Sequence, residues 1–180
     1  MASRKTKRKN LIQILSLTIA VVLVVIVSVV FQQWWNNRPE PLPQDISIKA
    51  SAPAGEVDVF PFSMCEPGVE CEENEVPILE VGTDEELHLS IPEEIHDHDW
   101  YLLTIYDDPA ANDEFYHTSF DATEATVPGS VDPTEEGGER PRLVVVEISS
   151  VMIGEDAEGN ETPYTVTWSL STMDQTSIEQ

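Results

Sequence analysis

Hydrophobic residues follow two regimes along this chain. From Leu11 to Phe31, LIQILSLTIAVVLVVIVSVVF, 21 residues run without a charge, whereas from Ile46 onward apolar positions tend to recur every second residue in short bursts. The first regime predicts a membrane-spanning helix. At about 1.5 Å per residue it is roughly 31 Å long, close to the ~30 Å hydrocarbon core of a bilayer. A lone span in lipid must satisfy its own backbone, which only a helix does, despite the β-branched composition.

The second regime predicts strands. Ile46, Ile48 and Ala50 alternate with Ser47, Lys49 and Ser51 as a half-buried strand. In VDVFPFSMC, Val57 and Val59 share one parity and Phe60, Phe62 and Met64 the other. The switch beside Pro61 predicts a bulge or an edge, because proline has no N–H to give a ladder. VPILEV (76–81) and ELHLSIP (86–92), joined by Gly82 to Glu85, read as a hairpin. WYLLTIY (100–106) and RLVVVEISSVMI (142–153) are apolar on both parities over part of their lengths, the pattern of central strands covered on both faces. FYHTSF (115–120) places Tyr116 and Phe120 on one face, and the last strand, Tyr164 to Leu170, points Tyr164, Val166, Trp168 and Leu170 inward. Segments 127–141 and 154–163, rich in Pro, Gly and acids, read as exposed loops, and no stretch after residue 32 carries a capped helical period.

Eight or nine short strands separated by turns predict a mainly β fold: an antiparallel immunoglobulin-like β-sandwich preceded by one transmembrane helix, a signature that a small barrel shares. The organisation is a basic tail at 1–10, the helix at 11–31, a juxtamembrane Pro-rich linker at 32–45, the β domain at 46–172 and a C-terminal tail at 173–180 expected to be disordered.

Charge sets the expected orientation. Arg4, Lys5, Lys7, Arg8 and Lys9 precede the apolar run, which places the N-terminus in the cytoplasm and the β domain outside, with Trp34 and Trp35 at the outer interface. A cleaved secretory signal has a shorter apolar region, of about 7–15 residues, and a small-x-small site. Here the run ends Val29-Val30-Phe31-Gln32-Gln33-Trp34, so an uncleaved signal-anchor is the expectation. Residues 32–180 hold all 34 acidic side chains and four of the nine basic ones, a formal charge of 4 − 34 = −30. That density repels nucleic acid and anionic lipid head groups within about 8 Å, one Debye length at physiological salt. The partners it permits are an envelope protein, a cationic wall component or divalent cations, beside the membrane itself through residues 11–31.

Cys65 and Cys71 enclose a Pro67-Gly68 pair that suits a type II turn, and an oxidising exterior favours a disulfide between them. A metal centre needs four ligands where this motif offers two thiolates.

Pro61 to Cys65 with Cys71, IPEEIHDHDWYLLTIYDDP (91–109), PRLVVVEI (141–148) and Trp168 together resemble a family of uncharacterised actinobacterial envelope proteins, each an N-terminal hydrophobic segment followed by one domain of unknown function. The resemblance spans roughly residues 46–172. It implies an exported, membrane-tethered β domain and brings no activity with it.

Candidate chemistry is sparse. His96 and His98, in HDHD before Trp100, would share a face if they lay on a strand, with His88 or His117 as a third metal ligand; the plainer reading is a polar turn. Asp107, Asp108, Asp113 and Glu114 form one acidic group, and Glu155, Asp156, Glu158 and Asn160 another, but neither has the spacing of a calcium loop. Paired-carboxylate acid–base chemistry needs a cleft and separated pKa values, and neither a nucleophile elbow nor a phosphate-binding glycine loop is present. Asn160-Glu161-Thr162 matches a glycosylation sequon, an accident if the source is bacterial, and Trp100 and Trp168 read as core. No cofactor and no catalytic residue is expected. The expected role is a non-enzymatic envelope interaction or structural module, with a divalent-metal protein using His96 and His98 as the alternative.

Overall fold

A computed structural model describes residues 4–36, 41–66, 68–69, 71–135, 137–156 and 159–173. It separates into two compact units, 1–40 and 41–180. The first is the helix α1, Arg4–Asn36. Its segment Leu15–Trp34 is long and apolar enough to cross a membrane. The helix runs five residues past the predicted span, through the start of the expected linker. Residues 37–40 of that linker, 1–3 of the basic tail and 174–180 of the C-terminal tail lie outside the described residues.

The second unit is mainly β. Among the described residues it holds nine strands: β1 Ile48–Ala52, β2 Gly55–Val59, β3 Pro61–Cys65, β4 Glu86–Ser90, β5 Trp100–Tyr106, β6 Asp113–His117, β7 Glu124–Pro128, β8 Leu143–Glu155 and β9 Glu161–Ser171. They form two antiparallel sheets, of order β2-β1-β4-β7 and β3-β9-β8-β5-β6. The inner faces share one core in a sandwich-like arrangement. Ile48, Ala50, Leu87, Leu89 and Val127 enter it from the first sheet, and Trp100, Leu102, Ile148, Val166 and Trp168 from the second. Trp168 ties the layers together, its Nε1–H donating to the Ile46 carbonyl at 2.9 Å in a buried setting.

The alternation seen in the sequence becomes this core. Tyr164, Val166, Trp168 and Leu170 are all buried on β9, as predicted. On β8 the pairing with β5 shifts between Ile105 and Tyr106, inserting one residue, so Leu143 and Val146 both face inward although three apart. The parity switch at Pro61 marks the place where the chain leaves β2, on the edge of one sheet, for β3, on the edge of the other. Proline is tolerated there because its missing N–H costs an edge strand little.

Several expectations need correction. Segment 76–81 does not pair with β4: Leu79 and Val81 donate to the Ser171 and Thr172 carbonyls, so it runs beside the end of β9 while β4 lies in the other sheet. Gly82 to Glu85 is therefore a crossing between layers. It is closed by the Glu85 N–H on the Gly82 carbonyl at 3.0 Å. β5 and β8 occupy central positions, yet only one face of each is covered, and Tyr101, Val151 and Ile153 remain exposed on the other. Phe120 is not on a strand: β6 ends at His117, and Phe120 sits in a left-handed conformation at φ 61° in the following turn. A short helix, α2 Glu93–His96, breaks the all-strand expectation. β7 falls partly inside a segment read as loop, though Ala125 and Val127 alternating with Glu124 and Thr126 do carry a strand signal. The second predicted loop narrows to a tight connection, because β8 and β9 stay paired out to Glu155 opposite Glu161.

Candidate functional site

The polar residues singled out from the sequence gather at one corner of the five-stranded sheet and in two acidic segments, with His88 apart in the other sheet. At the corner, His96 ends α2 and His98 lies in the turn that follows. Backbone in a helical turn does not alternate faces every residue, so the spacing loses the meaning it would have on a strand. The His96 ring meets Phe120 edge-on at 5.8 Å, and the exposed His98 lies beside the Asp97 carboxylate. His117 stacks on Trp100 at 4.1 Å, while His88, in the other sheet, shares a hydrogen bond with Thr126 at 3.1 Å. The four histidines thus have four separate surroundings. Among the described residues, no group of three or more His, Cys, Asp or Glu is placed to hold a metal ion.

Asp99 is the residue that organises this corner, and sequence reasoning did not single it out. Its carboxylate accepts from the Tyr116 hydroxyl at 2.5 Å and from the Ser119 N–H at 3.0 Å, while its carbonyl accepts from the Ser150 hydroxyl at 2.9 Å. The Tyr116 hydrogen bond, then that of Ser119, lowers the Asp99 pKa, with the charge of His98 acting in the same direction. The Asp99 hydrogen bond in turn raises the pKa of Tyr116. The result clasps the start of β5 to the turn after β6.

Carboxylates in the acidic turns are engaged in the same manner. Asp107 accepts from the Arg142 N–H at 2.8 Å, and Asp108 from the Ala110 N–H at 3.0 Å and the Thr134 hydroxyl at 2.5 Å. The hydrogen bond from Thr134, then that from Ala110, lowers the Asp108 pKa. Asp113 accepts from the Glu114 N–H at 2.9 Å. In the β8–β9 turn, Asp156 accepts from the Asn160 N–H at 2.7 Å; Glu158 lies outside the described residues. Asp108 and Asp156 close turns, the behaviour of Asp wherever a local backbone donor is in reach, whereas Asp107 reaches across to the residue before β8 and Asp113 opens β6.

Cys65 and Cys71 form the expected disulfide, with Cα atoms 5.1 Å apart. Gly68 has φ 80°, the conformation a type II turn asks of its third residue; Pro67 lies outside the described residues. After Cys71 the chain straps back along β3, Asn74 donating from its N–H to the Phe62 carbonyl at 2.7 Å and from its side chain to that of Pro61 at 3.0 Å. A groove of about 630 Å³ opens alongside, with Asp58, Glu72, Glu75, Phe60, Met64 and Val76 in its lining and no Lys or Arg. Such a lining suits a cationic group carried on an apolar stem.

Residues 41–173 match the family model described as "Protein of unknown function (DUF2771)". The chain belongs to the DUF2771 family. No curated protein and no solved structure matches it. The DUF2771 domain begins at Pro41, five residues before the boundary expected from the strand pattern. The difference is the 3-10 turn Pro43–Asp45, whose Pro43 is buried and so belongs to the fold and not to the linker.

Proposed function

We propose that this DUF2771 protein is a membrane-tethered, extracytoplasmic, non-enzymatic interaction module of the cell envelope, selective for cationic partners. The observation that carries the reading is where the charge lies. Residues 32–180 carry a formal −30, yet among the described residues every buried polar side chain is Ser or Thr. Among the described residues the carboxylates therefore lie at the surface or half-buried beneath it, Asp97 with one oxygen covered, and their summed field attracts cations and repels polyanions over about a Debye length. Asp99 and Asp108 have lowered pKa values, the direction that suits a fixed anion and not a proton donor at neutral pH. The disulfide supports an oxidising compartment, and the five basic residues before the apolar run support a cytoplasmic N-terminus with an uncleaved anchor.

Strand order supports an immunoglobulin-type module. β1, β4 and β7 stand as A, B and E of such a fold, β9, β8 and β5 as G, F and C, and β6 as the added C′ strand, with Trp100 buried on the C-like strand. It lacks the inter-sheet disulfide of antibody domains, since Cys65 and Cys71 pair locally.

The test is protease treatment of intact cells followed by blotting for an N-terminal and a C-terminal tag. Loss of the C-terminal tag with retention of a membrane-bound N-terminal fragment is expected. Protection of the C-terminal tag, or a mature chain beginning after residue 31, sinks the topology. Calorimetry separates the metal reading: weak, salt-sensitive Zn²⁺ heat unchanged by His96→Ala/His98→Ala is expected. A near-stoichiometric isotherm lost in that double variant makes the protein a metal binder.

A further inference from the structure

The outer face of the five-stranded sheet combines exposed apolar groups with charge of one sign. Strand register defines its rows. Glu114, Leu103, Glu147 and Ser169 align across β6, β5, β8 and β9, and Tyr116, Tyr101, Ser149 and Thr167 form the next row. Val151 opposite Thr165, then Ile153 opposite Pro163, then Glu155 opposite Glu161 continue along the same face. Tyr101, Tyr116, Val151 and Ile153 are 42%, 51%, 56% and 59% exposed, and the two tyrosine rings lie 5.0 Å apart. Tyr116 is held in place by its hydroxyl bond to Asp99. A rigid aromatic pair next to aliphatic side chains is the composition of a protein-binding centre, since tyrosine gives large contact area at little entropic cost.

The charges on this face select the occupant. Glu114, Glu147, Glu155 and Glu161 all share it, and no Lys or Arg stands in these rows. A second copy would set carboxylates against carboxylates, and like charges brought together cost several kcal/mol at an interface. Nucleic acid and anionic lipid are repelled in the same way. We propose that this face docks the surface of another protein that presents Lys and Arg around an apolar centre, with Tyr101, Tyr116 and Val151 as its anchors. The proposal rests on the reading of the chain as a binder of cationic partners and assigns that binding to one surface. At about 6.8 Å between rows and about 4.8 Å between strands, the fourteen positions in these rows, four strands wide for two rows and two strands wide for three, cover about 460 Å². That is one partner's share of a small, transient interface.

The test uses the full chain in nanodiscs of neutral phosphatidylcholine, titrated with a fluorescein-labelled hexapeptide of alternating Arg and Trp or Leu and followed by anisotropy. One variant removes face charge (Glu114→Gln, Glu147→Gln, Glu155→Gln, Glu161→Gln) and a matched one removes the same charge from the other sheet and the loop after it, away from the groove beside the disulfide (Glu56→Gln, Glu86→Gln, Glu124→Gln, Asp132→Asn). A third, Val151→Lys, sets a cation among the anchors at an exposed position that the fold does not need. The expected result is an affinity loss of about tenfold or more for the face variant and for Val151→Lys, against about threefold or less for the matched variant. Equal losses in the two charge variants, or unchanged binding in Val151→Lys, overturn the assignment to this face while leaving the cationic-partner reading intact. Absence of saturable binding to the unaltered protein overturns both.

Discussion

Single residues decide how this domain answers to acid. Asp99 is held as the anion by Tyr116 and Ser119, so its folded pKa lies below the ordinary 3.8. A depressed carboxylate contributes stability that is present above its unfolded pKa of about 3.9 and is lost as pH falls through the folded value. Asp99→Asn is therefore expected to be less stable than the parent at neutral pH, with the gap closing below about pH 4. Chemical denaturation at several pH values reads this, and a gap that stays constant to pH 2.5 removes the clasp from the account. Trp168 is the other residue with a role of its own. Trp168→Phe keeps an aromatic ring in the core but leaves the Ile46 carbonyl without its partner, an expected loss of about 1–3 kcal/mol in urea melts. Trp168 was legible as core from the sequence. Its polar tie to Ile46 was not, because the two are 122 residues apart.

Elements carry the connections between layers. The disulfide closes a small ring around the turn after β3, for which the loop-entropy model gives about 2 kcal/mol. Cys65→Ser/Cys71→Ser is expected to lower stability by that amount while the nine-strand fold persists, as judged by circular dichroism; complete unfolding would give the bridge a larger part. The crossing at Gly82 is tighter. A Cβ added at Gly129 would lie 2.0 Å from the Gly82 carbonyl oxygen, a contact with backbone that cannot yield without moving a strand end. Gly129→Ala is thus expected to cost at least the ~1–3 kcal/mol of an overpacked site, measurable as a lower melting temperature. Nothing in the local pattern announces this. VPILEV and ELHLSIP alternate as hairpin partners do, and period two reports which face a residue takes, not which strand lies beside it.

At the scale of the whole molecule, the surplus of negative charge governs both stability and association. Self-repulsion among surface carboxylates is weakened by screening, so the melting temperature is expected to rise as NaCl goes from about 10 mM to about 0.5 M, with the Debye length falling from ~30 Å to under ~5 Å. A flat profile would mean that the carboxylates are already compensated by bound cations. The same screening should weaken attraction for a basic partner, which separates the field from the apolar contacts of the outer sheet face.

Composition and periodicity by themselves determined the apolar helix at the N-terminus, the mainly β character of the rest, the inward set on β9 and the local pairing of Cys65 with Cys71. These depend on side-chain chemistry read against the geometry of one element, which neighbours in sequence are enough to specify. Only the tertiary structure decided that VDVFPFSMC divides between two sheets, that segment 76–81 joins β9 instead of β4, and that HDHD is a helical turn bound to the loop after β6. It also decided that the second face of β5 and β8 is open: a strand apolar on both parities looks the same whether its outer face meets another layer or solvent. Those outcomes depend on which distant segments come to lie side by side, and long-range pairing is chosen by the burial of the shared core, to which no single stretch of this sequence holds the key.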